Sequence, residues 1–245
     1  MIREKLIDTA VRLGIDDRLR NIREAMPTHR RNRITELSVR LLLTFTLAEN
    51  ANCIDIGAYR GHVLSEILRV APRGQHIAYE PQPDKYNDLL KRFPSVDIRQ
   101  LALSTEQGEA SFTCVKNMPG YSGLREIAYP RRPQIEKLTV RTDTLDSNLP
   151  DGYVPALIKM DVEGAEGLVI EGGLETISRH KPIILFEHGK ASVDHYQIPP
   201  HRIYELLHDM AGLRIFDLDG NGPYTLGQFE DSCARDERWD YVARA

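Results

Sequence analysis

Four short stretches hold residues whose types and spacing could do chemistry. IKMDVEG (158–164) alternates Lys159, Asp161 and Glu163 along one side of an otherwise apolar strand candidate. Three charges in that setting are costly unless they are paired or used, and an internal pair of Lys159 with Asp161 or Glu163 is the ordinary reading. PIILFEHG (182–189) ends on Glu187 and His188. A neutral imidazole accepts a proton readily near pH 7, so His188 is the first choice of general base, with Asp161 and Glu187 as carboxylate alternatives. CIDIGAYRGH (53–62) sets Asp55, Gly57 and Gly61 directly after an apolar run. HIAYEP (76–81) places Glu80 before Pro81, roughly 25 residues after Asp55, where nucleotide-binding folds carry a ribose-binding acid.

The elements that must position these residues follow from periodicity. CIDIGA, HIAYEP and VDIRQLALS read as strands, with helices VLSEILRV and DKYNDLLKRF between them. ASFTCV (110–115) and KLTVRTDTL (137–145) alternate like hairpin strands. ALIKMDVEG and PIILFEHG are strands, AEGLVIEGGLETISRH and HRIYELLHDMAG helices, and LRIFDLDG and WDYVARA close the chain as strands joined by a turn-rich segment. The pattern predicts an α/β fold: a doubly wound, mostly parallel seven-stranded sheet with a terminal antiparallel hairpin. Residues 1–50 read as helices, one on Leu6, Ala10 and Leu13 and another near 33–48. They form an N-terminal cap ahead of a single domain at 51–245. Ligands of such sheets sit beyond the carboxyl ends of the strands. That rule selects Asp55 to Gly61, Glu80, Ala102 to Ser104, Asp161 to Glu163, and Glu187 with His188.

Asp55-x-Gly57-x-x-x-Gly61 lacks the first glycine of the dinucleotide loop, and the charge of Asp55 would repel a pyrophosphate. An acid there suits a ligand with an ammonium group, and Glu80 can accept both hydroxyls of a ribose. A nucleoside with a cationic amino-acid arm and no phosphate is S-adenosylmethionine. A nicotinamide-dependent oxidoreductase is the competing enzyme on a similar sheet. A non-catalytic protein that keeps the pocket is the competing non-enzyme.

CIDIGAYRG, YEPQPDKY, QLALS, PGYSGL (119–124), VRTDTLDS, IKMDVEGAE and ILFEHG together resemble the FkbM-type family of S-adenosylmethionine-dependent methyltransferases, from about Cys53 to His188. The resemblance implies a class I, Rossmann-like methyltransferase fold. It also implies methyl transfer to a hydroxyl, often on a sugar of a glycolipid, polysaccharide or macrolide-like product. Carried onto this chain, the cofactor contacts are Asp55, Gly57, Ala58, Tyr59, Gly61, Glu80, Pro81, Ala102, Leu103, Ser104 and Asp161. Ala58 stands where the family usually has Asn, so that polar contact is absent. Tyr121 and Ser122 of PGYSGL, with Lys159, Glu163 and His195, are the acceptor-side candidates. PGYSGL, GKASVDHYQIPP (189–200) and the N-terminal helices are candidate lids.

Composition narrows the partners. The chain has 245 residues and a net charge of −4, which gives no overall basic field for nucleic acid. The first forty residues hold ten Lys and Arg against six Asp and Glu, with HRRNR (29–33) densest. This is a solvated helical face or a contact for an acidic or lipid-linked acceptor. Cys53, Cys114 and Cys233 are too few and too scattered for a disulfide framework or a zinc site, which suggests a cytoplasmic protein. The longest early apolar run, LLLTFTL (41–47), is too short to span a bilayer. No resident metal is assigned, a divalent ion on Asp161 and Glu187 being the less favoured alternative to a base. A homodimer is compatible with the sequence.

Overall fold

The computed structural model describes residues 27–235 and 239–245. Packing separates a first unit, Met1–Leu42, from a second, Leu43–Ala245, and the sheets described below belong to the second. The helix expected near 33–48 is α1 (Pro27–Thr46). The one expected on Leu6, Ala10 and Leu13 lies outside the described residues.

The strand–helix alternation becomes β1 (Asn52–Ile56), α2 (His62–Val70), β2 (His76–Tyr79), α3 (Pro83–Arg92) and β3 (Asp97–Arg99). After an excursion, β7 (Pro155–Met160), β8 (Ile183–Glu187), β9 (Arg214–Asp217) and β10 (Asp240–Arg244) complete a seven-stranded sheet in the order β3-β2-β1-β7-β8-β10-β9. β1 pairs in parallel with β2 and β7, while β10 runs antiparallel to both β8 and β9. The expected terminal hairpin is therefore β9–β10. The central strands are nearly continuous apolar runs because helices cover both faces. Ile54, Ile56, Ile158, Met160, Ile184 and Phe186 are all buried in one core. α2 turns Leu64 and Ile67 inward, and each such buried side chain contributes about 1.5–3 kcal/mol.

The expected strand VDIRQLALS divides. β3 ends at Arg99, and β4 (Ala102–Leu103) crosses to a second sheet of order β4-β6-β5, pairing Ala102 with Thr142 and Leu103 with Asp143. The alternating segments form its hairpin, β5 (Gly108–Val115) with β6 (Ile135–Asp143). PGYSGL follows β5 as a 3-10 turn, Pro119–Tyr121, and Gly123 then exchanges both backbone hydrogen bonds with Thr113. A short helix, α4 (Leu145–Asn148), leads into β7.

The helix expected over 165–180 breaks at Gly172 and Gly173 into α5 (Glu166–Gly172) and α6 (Leu174–His180). Past β8 come α7 (Lys190–Tyr196), α8 (Pro200–Tyr204) and a π-helical turn, Glu205–Met210. The segment before β10, expected to be turns alone, contains α9 (Leu226–Ala234). A capping box starts it: Thr225 accepts from Gln228 N–H while the Gln228 side chain accepts from Thr225 N–H. Phe229 and Cys233, one turn apart, are its buried face. Among the described residues no helix is long and apolar enough to cross a membrane.

Candidate active site

The parallel strands end at an open cleft with about 130 Å3 of enclosed space. Gly57 and Tyr59 reach it after β1, Glu80 to Gln82 after β2, and Asp161 to Glu163 after β7. The second sheet supplies Leu103 and Phe112, and the PGYSGL loop supplies Pro119, Gly120 and Ser122 to Leu124. The walls meet closely. Gly57 takes φ 70, and a Cβ there would lie 2.0 Å from the Asp161 carbonyl oxygen, so only glycine fits. Gly57 N–H and Ala58 N–H donate to Tyr79 O, and Asp161 N–H donates to Ile56 O, which ties the three strand ends together.

Glu80 is buried at 2% exposure and accepts from two backbone donors, Tyr59 N–H at 2.8 Å and Gln82 N–H at 2.9 Å. Burial raises its pKa, and the two N–H donors and Lys159 oppose that rise. The Glu80 bond also holds Tyr59 at φ 48, a left-handed conformation rare for an aromatic residue.

The cation beside Asp55 is Lys159, whose Nζ lies 3.0 Å from Asp55 Oδ1 and donates to the carbonyls of Gly57 (2.9 Å) and Ile56 (3.3 Å). The parallel register that sets Asp55 opposite Lys159 makes this pair. The pairs with Asp161 or Glu163 expected from strand alternation do not form, because Asp55 is fully buried at contact distance. Burial alone would lower the Lys159 pKa, but Asp55, followed by Asp161, holds it above the ordinary value.

The opposite end of the cleft is acidic. Asp161 and Glu163 are on its wall, and Gly120 faces Glu163 Oε1 at 3.9 Å from where a Cβ would be. Burial, then the charges of Asp161 and Glu166, raise the Glu163 pKa well above the carboxylate range. Burial, then Asp161 and Asp240, do the same to Glu187. Glu166, 1% exposed, caps the turn by accepting from Val162 N–H (3.0 Å) and Gly164 N–H (3.3 Å), and burial pushes it up to about 7. Among the described residues that line the cleft there is no Lys or Arg.

A family model, the methyltransferase FkbM domain, matches residues 55–211. The chain belongs to the FkbM methyltransferase family. Its methyl donor is S-adenosylmethionine, which displaces the nicotinamide reading. A methyltransferase FkbM from Methylobacillus flagellatus KT is similar in fold, with a TM-score of 0.52 at 17% identity over 81% of this chain. The match spans 44% of that protein, less than half its length. A putative O-methyltransferase from Klebsiella pneumoniae aligns over 86% of this chain and 79% of its own at 12% identity and TM-score 0.47. A TehB-like S-adenosylmethionine-dependent methyltransferase from Corynebacterium glutamicum ATCC 13032 Kitasato aligns over 84% and 85% at 13% identity and TM-score 0.45. No curated protein matches the chain.

Within this FkbM fold, the cleft brings together Gly57, Tyr59, Glu80, Pro81, Ala102, Leu103, Ser122, Asp161 and Glu163 from the sequence candidates. Others stand behind it. Asp55 and Lys159 form the buried pair below the β1 turn, and Gly61 caps α2. Ala58 is buried, and Ser104 donates its N–H to Asp143 O. Tyr121 is 37% exposed beside Tyr129. His195 meets Ala128 N–H through Nε2 at 3.2 Å, away from the cleft lining. His188 is not brought to the cleft either. Its N–H donates to Trp239 O, its ring stacks 6.1 Å from that of Phe229 at 1% exposure, and burial lowers its pKa to about 4. Leu101, Phe112, Gln82 and Leu124 also line the cleft, and the second sheet that carries Phe112 leaves no signal at the strand ends. Among the described residues no group of three or more His, Cys, Asp or Glu is disposed to hold a metal ion.

Proposed function

We propose that this FkbM protein is an O-methyltransferase that methylates a hydroxyl of a sugar, glycolipid, polysaccharide or related natural product. The observation that carries the reading is a cleft with a hydrogen-bonded carboxylate at one end and a group of carboxylates crowded behind Asp161 and Glu163 at the other. The residues present fit S-adenosylmethionine. Each Glu80 oxygen keeps a lone pair beyond its N–H bond for the two ribose hydroxyls, and Leu101, Leu103 and Phe112 offer apolar surface for a purine. Asp161 offers negative charge to the donor's sulfonium and ammonium groups.

S-adenosylmethionine supplies an already activated methyl group. The protein must then orient a hydroxyl, exclude water and take one proton. Asp161 is the base in this reading, because it faces the cleft from the end of β7. Burial and the neighbouring carboxylates raise the pKa of Glu163 and Glu187 well above the ordinary value, which favours their neutral, hydrogen-bond-donating forms, and of the two Glu163 lines the cleft. The unpaired, buried Cys53, Cys114 and Cys233 support a reducing, cytoplasmic setting.

Methyl-labelled S-adenosylmethionine, incubated with a panel of glycans and glycolipid head groups, tests the reading. Base-stable label on an acceptor oxygen is expected. Base-labile methyl ester, or label on nitrogen, would overturn O-methylation; no transfer to any acceptor would favour a non-catalytic protein. Loss of activity in EDTA with recovery in magnesium would replace Asp161 as base by a metal on Asp161 and Glu187.

A further inference from the structure

The last residue of α7, Tyr196, is outside the cleft lining yet touches two of the cleft walls. Tyr196 is 5% exposed, and its hydroxyl accepts the Arg125 N–H at 3.1 Å, just past the PGYSGL loop. The same ring lies against the turn that follows Glu163: a Cβ on Gly164 would come within 2.9 Å of Tyr196 Cδ2. On the loop side, a Cβ on Gly123 would be 3.2 Å from the Tyr196 hydroxyl. The Arg125 guanidinium covers the ring at 5.4 Å and donates to His195 O at 2.8 Å. His195 in turn meets Ala128 N–H. Gly123 is fixed to β5 through its paired bonds with Thr113, so the loop is anchored on one side by the hairpin and on the other by α7.

We propose that Tyr196 is a positioning residue that fastens the Pro119–Leu124 wall to the Asp161–Gly164 turn, and that release of this contact sets how fast the cleft exchanges its cofactor. The inference rests on the cleft being the cofactor site. Both walls it joins line that cleft, through Gly120, Gly123 and Leu124 on one side and Asp161 and Glu163 on the other. The groups that join them are a single hydroxyl, one aromatic face and one guanidinium, all of which can part without unfolding the sheet. Contacts of this size are small enough to open on the timescale of ligand exchange.

Binding of methyl-tritiated S-adenosylmethionine, chased with unlabelled S-adenosylhomocysteine, tests it on the parent chain, on Tyr196→Phe and on Arg125→Ala. Tyr196→Phe keeps the ring against Gly164 and removes only the acceptor of Arg125 N–H. Release and association should both accelerate, roughly three- to tenfold, with the equilibrium affinity nearly unchanged. Arg125→Ala should act in the same direction and more weakly. Amide exchange should quicken at Arg125 while the melting temperature holds. Unchanged rates in both variants would overturn the clamp and leave the cofactor site standing. Slower association with a lowered melting temperature would overturn it too, as the mark of a merely structural residue. A parent chain that binds no S-adenosylmethionine would overturn the cofactor reading and the clamp with it.

Discussion

The two ends of the cleft solve the same electrostatic problem in opposite ways. At the β1–β2 end every buried charge has its answer: Asp55 faces Lys159 at 3.0 Å, and Glu80 accepts two backbone N–H groups. At the β7–β8 end Asp161, Glu163, Glu166 and Glu187 crowd together, and three of them answer by rising in pKa. The first arrangement is satisfied by the protein's own groups. In the second, Lys159 is shared with Asp55 and acts on Asp161, Glu163 and Glu187 only from a distance, so a cationic ligand or bound protons would relieve the crowding. A rigid end suits recognition of the donor, and an end rich in labile protons suits chemistry on an acceptor.

The largest effect that would break this comparison comes from Lys159→Met. It leaves Asp55 buried without its cation and the Gly57 carbonyl without the ammonium donor, and urea unfolding should show a loss of about 3–5 kcal/mol. A loss under about 1 kcal/mol would mean that the pair does not hold the rigid end together.

Glu166→Gln sharpens the other side. The folded-state pKa of Glu166 is about 7 against an unfolded value of about 4.3, so the unfolded chain binds fewer protons between them. Its contribution to stability is present below about pH 4.3 and is lost as pH rises through 7. Relative to the Gln variant, which still accepts from Val162 N–H, the parent should therefore lose about 3–4 kcal/mol between pH 4 and pH 8.5. Parallel pH profiles of the two proteins in denaturant would contradict the crowded-acid picture.

Glu80→Ala should weaken S-adenosylhomocysteine binding by about 1.5–3 kcal/mol, roughly tenfold or more by calorimetry. Affinity equal to the parent's would remove Glu80 from the ribose site. The smallest effect is expected from His188→Phe. Its ring is packed against Phe229 outside the cleft lining, so methyl transfer should continue at the parent rate. A large fall in turnover with binding intact would return the base to His188.

What could be read from the sequence was whatever is local. Apolar runs ending in Asp55, Glu80, Asp161 and Glu187 marked the strand ends, and the spacing of Glu80 marked the ribose side. The Asp55–Lys159 pair was out of reach because it depends on how β1 registers against β7, and strand alternation pairs Lys159 only with its own neighbours. His188 was placed by position alone, which does not reveal that the chain turns its ring toward Phe229 of α9. That helix did have a signal, Thr225 followed by Gln228, hidden among turn-forming residues. Tyr196 had none, since its role comes from two glycines and an amide that meet only in the fold.

The most direct test of the account is Asp161→Asn, measured twice on one preparation: methyl transfer at saturating donor and acceptor, and the dissociation constant of S-adenosylhomocysteine. The acidic end as the place of proton transfer predicts a fall in turnover of about 10²–10⁴, with binding weakened far less. Turnover that falls only as far as binding does, or does not fall, would contradict it and make Asp161 a cofactor contact alone.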